Sequence, residues 1–104
     1  MILCLDYDNC THPFLWSEIK RLKYKYDIVF QVWQTSSGSY HLRSESHLTE
    51  EQAWAVMDDS RCSTDYKEMC FRHGYMPFRV SGKINVSSSG EETYILAPKL
   101  LFTI

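Results

Sequence analysis

The stretch "DIVFQVWQTSSGSYHLR" constrains the fold most. Residues 28–34 are rich in Val, Ile, Phe and Trp, which predicts a strand. The small-residue turn over 35–38 follows, and a second strand is expected over 39–43. A connection this short makes the two strands antiparallel, because a parallel pair needs a crossover of a dozen residues or more. On the return strand, Ser39, His41 and Arg43 fall on one face.

Upstream, "ILCLDYD" predicts a strand over 2–8. Its alternation sets Leu3, Leu5 and Tyr7 on one side and Ile2, Cys4, Asp6 and Asp8 on the other. A helix is expected over 13–26, with Thr11 as its cap, Pro13 at its start, and an apolar stripe of Leu15, Ile19, Leu22 and Tyr26. Lys20, Arg21, Lys23 and Lys25 crowd its last turns, where they suit the helix dipole and read as a solvated face. Thr49 and Gln52 form a capping box for a second helix ending near 58–60, with Leu48 and Ala53 as its hydrophobic staple. A third short helix is expected between Ser63 and Gly74. The segment 75–96 predicts two or three short strands, and "APKLLFTI" a final strand or tail. The early order strand–helix–strand–strand is that of an α+β, ferredoxin-like or RNA-recognition-like (palm-like) antiparallel sheet. Its helices are expected on one face and its other face open, within a single domain of 104 residues.

Composition narrows the function classes. A net charge of −2 excludes a broadly basic nucleic-acid surface, so any such contact is local or bridged by cations. No segment reads as a membrane span or a secretory signal, which predicts a cytoplasmic protein with no membrane partner. None of Cys4, Cys10, Cys62 and Cys70 forms a C-x-x-C pair, so zinc is poorly supported, and Cys4 and Cys70 read as reduced core residues.

Two carboxylates one residue apart on a strand repel each other, and a divalent cation relieves that repulsion through hard oxygen ligands. Strand-end surface acids are the bland alternative for Asp6 and Asp8. The turn before His41 offers backbone N–H groups, the hydroxyls of Ser36, Ser37 and Ser39, and an imidazolium as phosphate ligands; a plain hairpin turn is the alternative there.

Together, "ILCLDYD" and "TSSGSYHLR" resemble the first two motifs of the archaeo-eukaryotic primase superfamily, which includes primase-polymerases. "STDYKEMCFRHGYMPFRVSGK" is the nearest candidate for the third, and the resemblance covers about residues 1–83. It implies a nucleotidyltransferase core acting in DNA replication or repair. Asp6, Asp8 and Asp65 would be ligands for Mg²⁺ or Mn²⁺. His41, with Ser37 nearby, would contact the triphosphate of an incoming nucleotide, and Arg79 and Lys83 would meet phosphates or template. Asp65 reads equally as an ordinary acid of a helix first turn. The implied partners are a nucleoside triphosphate, a DNA or RNA template, and a helper protein supplying the module that longer family members carry. The implied reaction is attack of a 3′-hydroxyl on an α-phosphate with loss of pyrophosphate, assisted by metal ions.

Two alternatives accompany it. "CLDYDNCT" also resembles the first motif of haloacid dehalogenase-like phosphatases, with Asp6 as nucleophile and Asp8 as acid–base. That family needs a parallel sheet, which the short hairpin opposes. The other alternative is a non-catalytic module that binds nucleic acid or protein, with Trp33 and Tyr40 as stacking candidates.

Overall fold

The computed structural model describes residues 1–77, 83–86, 88–95 and 97–104, with the backbone alone for 83–85 and 93–95. Nine elements follow in order: β1 (Cys4–Tyr7), α1 (His12–Tyr26), β2 (Phe30–Ser36), β3 (Ser39–Ser44), α2 (Glu50–Asp59), α3 (Thr64–His73), β4 (Lys83–Val86), β5 (Glu92–Ile95) and β6 (Lys99–Thr103). Four strands form an antiparallel sheet in the order β1-β3-β2-β6, and β4 and β5 form a separate two-stranded sheet. The fold is α+β and ferredoxin-like. The crossover through α1 sets β1 and β2 on either side of β3, and β6 adds the fourth strand beside β2. Among the described residues every strand pair is antiparallel, whereas a haloacid dehalogenase-like reading depends on parallel pairing.

Local signals explain these elements. The side chain of Thr11 accepts from the backbone N–H of Phe14 at 3.3 Å, and Asp27 ends α1 in the left-handed region at φ 53°. At Thr49 both halves of the capping box are made: its hydroxyl accepts from the Gln52 backbone, and the Gln52 side chain accepts from the Thr49 backbone. Ser36 pairs with Ser39, leaving the two-residue turn Ser37–Gly38, and Gly38 takes the positive φ of 77° that the turn needs. The extra residue Thr35 produces a register shift just before the turn.

One face of the sheet carries Leu3, Leu5, Tyr7, Val32 and Leu42 into a core with Leu15, Ile19 and Leu22 of α1 and Ala53, Val56 and Met57 of α2. Leu48 packs against the same core, as a staple residue should. Two expectations are corrected. β1 spans only Cys4–Tyr7, not 2–8, so strand alternation stops before Asp8. The second face of the sheet is not open along β3, where every residue from Ser39 to Ser44 is buried. The Arg43 guanidinium lies 4.4 Å from the Trp33 ring centroid on that face, and Tyr66 of α3 reaches the Cys4 carbonyl oxygen at 2.9 Å.

The free edge of β1 is also closed. The backbone N–H of Ser63 donates to the Asp6 carbonyl oxygen at 2.7 Å, and the Tyr66 hydroxyl occupies that of Cys4. These bonds satisfy backbone groups that an edge strand would otherwise present to another chain. Among the described residues no helix is long and apolar enough to cross a membrane.

Candidate functional site

Antiparallel register places Asp6 directly opposite His41, and His41 opposite Trp33. Residues so aligned share a face, and the side chains meet. Nε2 of His41 lies 3.3 Å from Oδ1 of Asp6, while a terminal nitrogen of Arg43 lies 3.3 Å from Nδ1 of the same ring. A guanidinium only donates, so Nδ1 is the acceptor in the contact with Arg43, and Nε2 is the nitrogen that faces Asp6. The imidazole therefore has both nitrogens engaged within the protein. The residue expected to meet phosphate thus stands between Asp6 and Arg43. Burial pulls the Arg43 guanidinium below its ordinary pKa.

Asp8 lies past the end of β1, because the chain turns there. Asn9 adopts a left-handed conformation at φ 50°. Two distant segments grip the turn. The Asp8 N–H donates to Ser63 Oγ at 2.9 Å; the Asn9 N–H donates to Ser39 Oγ at 3.3 Å, and the Cys10 N–H to the Gly38 carbonyl at 3.0 Å. The acidic end of β1 is thus joined to the hairpin turn on one side and to the start of α3 on the other. A cavity of about 440 Å³ opens here, lined by Tyr7, Asp8, Phe14, Arg61, Cys62 and Ser63 among others; Asp6 and His41 do not line it.

The remaining expected site residues are distributed as follows. Ser36 and Ser37 are exposed at the hairpin tip, and Ser39 is buried with its hydroxyl bound to Asn9. Asp65 is exposed in the first turn of α3, two residues beyond Ser63. Lys83 lies in β4, its side chain outside the described residues, as is all of Arg79. Of the stacking candidates, Tyr40 is buried with its hydroxyl 2.9 Å from Nε2 of His12, and Trp33 is covered by Arg43. Asp6 and His41 come together, Asp8 lies past the strand end in the lining of the cavity, and Asp65 is exposed on α3. Among the described residues no three His, Cys, Asp or Glu side chains gather as a metal-ligand set.

Asp6 and Asp8 carry carboxylate oxygen, the ligand type that Mg²⁺ and Mn²⁺ take, while the hydroxyls of Ser39 and Ser63 accept from the backbone of Asn9 and Asp8. The competing sulfur ligands are suppressed. Burial raises the thiol pKa of Cys4 to about 11 and pushes those of Cys10, Cys62 and Cys70 up as well, and all four are free.

A buried support beneath the cavity has no counterpart in the sequence motifs. Glu18 points from α1 into the core, where one carboxylate oxygen accepts from the Tyr7 hydroxyl at 2.8 Å and from the backbone N–H of Arg61. The other accepts from Arg21, which also reaches Asp59 at 3.1 Å. Glu18 thereby ties α1 to the wall of the cavity. Its position between Leu15 and Leu22 on the buried stripe is the sequence signal: an acid there must be paired. No family model matches the chain, and neither a curated protein nor a solved structure matches it significantly.

Proposed function

We propose that this chain is a metal-dependent, nucleotide-binding nucleotidyltransferase core of the primase-polymerase type, acting on DNA or RNA in replication or repair. The observation that carries this reading is the cross-strand alignment of Asp6 with His41, beside a hairpin turn bonded to the acidic end of β1. In this reading Asp6 and Asp8 hold Mg²⁺ or Mn²⁺. His41 fixes the rotamer of Asp6 through its Nε2–H. The cavity beside Asp8 receives a nucleoside triphosphate, with Arg61 offering a cation to its phosphates. When bound, the metal lowers the pKa of an attacking hydroxyl and stabilises charge on the transferred phosphoryl group. A DNA or RNA template and a helper protein are the further partners. Four free thiols fit a reducing compartment such as the cytoplasm.

A second reading, a binding module without catalysis, is favoured by the burial of His41 and its self-contained contacts with Asp6 and Arg43. Calorimetry with Mn²⁺ and a nucleoside triphosphate tests the first reading. Metal-dependent uptake is expected, abolished in Asp8→Ala with an unchanged circular dichroism spectrum. Uptake that survives in Asp8→Ala, or no uptake by the native chain, overturns it. Template-directed extension of a labelled primer separates the enzyme from the module.

A further inference from the structure

The four cations near the end of α1 are not equivalent. Arg21 is bound to Glu18 and Asp59, and Lys25 to Asp59 at 2.7 Å. Among the described residues neither Lys20 nor Lys23 has an ion-pair partner. These two share one face of α1 with two aromatic residues. Positions 16, 20, 23 and 24 fall within about 100° of helix surface, since residues four apart are offset by about 40°. Trp16 is 39% exposed and Tyr24 94% exposed, an unusual condition for side chains of that size. Trp16 is also held: its ring stacks on Phe102 of β6 with centroids 5.3 Å apart and planes 10° apart. The face thus carries a fixed indole, a free phenol and two free ammonium groups, with the single acid Asp27 at its far end.

We infer that this face of α1 binds single-stranded nucleic acid, with Trp16 and Tyr24 stacking on bases and Lys20 and Lys23 meeting the backbone phosphates. Eight residues separate the aromatic groups, or about 12 Å along the helix, which is close to the span of two nucleotides in an extended strand. Exposed aromatic planes interleaved with cations suit unstacked bases on a phosphate chain; a closed duplex offers no free base face to them. An acidic protein segment would satisfy the lysines but would leave the aromatic groups in water. The inference takes its partner class from the proposed function, yet the surface needs neither metal nor nucleotide.

The test is fluorescence anisotropy of a labelled oligothymidylate at low salt, in EDTA and without nucleotide. The native chain is expected to bind it, and Tyr24→Ala to weaken binding about tenfold. Lys20→Gln with Lys23→Gln should lower the slope of log affinity against log salt by about 1.4. Tyr24 and Lys20 are exposed and Lys23 is half-buried, so each variant is compared with the native chain by circular dichroism; the stacked Trp16→Ala is secondary. Absence of binding by the native chain, equal affinity in the variants, or tighter binding of duplex overturns the inference. Binding that persists in Asp8→Ala supports it whatever becomes of the metal site. A native chain that takes up metal and nucleotide but no strand refutes the α1 surface alone.

Discussion

Replacing Glu18 with alanine is expected to cost the protein much of its stability. The Glu18 side chain is 1% exposed and is the common acceptor for Tyr7, Arg21 and the Arg61 backbone. Alanine leaves the Tyr7 hydroxyl without that acceptor in a residue that is 2% exposed, at about 1–3 kcal/mol for a stranded buried donor. It also breaks an ion pair whose acid is buried, a change that costs about 3–5 kcal/mol when one partner is removed. The two costs overlap, and Arg21 keeps Asp59, so about 4 kcal/mol is the working figure. A domain of this size has roughly 5–15 kcal/mol in total. At about 4–8 °C per kcal/mol, the melting temperature should fall by about 15–30 °C. Glu18→Gln retains an acceptor oxygen and should cost about half as much. Tyr7→Phe alone should cost about 1 kcal/mol, and the double variant less than the sum of the singles. Urea and thermal unfolding followed by circular dichroism measure all four chains. A loss below about 1 kcal/mol in Glu18→Ala, or strict additivity with Tyr7→Phe, would refute the account of Glu18 as a shared buried acceptor.

Two further predictions concern pH. Burial, and then the neighbouring Glu18 charge, pushes the Tyr7 phenol far above its ordinary pKa, and burial does the same to Tyr66. A raised folded-state pKa means that stability is intact below the unfolded value of about 10 and declines as pH rises past it. Unfolding titrations should therefore show an alkaline loss that is shallower in Tyr7→Phe and Tyr66→Phe; identical alkaline limbs in all three chains would contradict this. Asp59 behaves in the opposite sense, because hydrogen bonds from Lys25 and then Tyr26 hold its carboxyl well below the usual range. Its contribution is present above about pH 4 and lost as pH falls. Asp59→Asn should cost less than about 1 kcal/mol at neutral pH, since the cluster is partly solvated, and should flatten the acid limb of a urea titration.

Much of the scaffold was legible because its signals are local. Thr11 and Pro13 mark the start of α1, the Thr49–Gln52 pair marks α2, and Gly38 fixes the hairpin from which the antiparallel sheet follows. Alternation showed which residues of each strand share a face, but the pairing of β1 with β3 that sets Asp6 opposite His41 joins distant parts of the chain. What alternation cannot reveal is where a strand stops. Asp8 leaves the strand because Ser63 and Ser39 bind the backbone on either side of it, contacts made across distant parts of the chain. The burial of β3 likewise depends on contacts between strands, such as that of Arg43 with Trp33. Glu18 stands on the buried stripe of α1, but its partners, the Tyr7 hydroxyl and the Arg61 backbone, come from distant parts of the chain.

The bond between the Asp8 backbone and Ser63 spans 55 positions of chain, against 30 for the bond from Asn9 to Ser39. Closing large loops is slow, so the hairpin side of the acidic turn can form early while its other wall waits for α3 to dock. Any ligand held there depends on both walls, and loosening α3 would remove the one that Ser63 supplies.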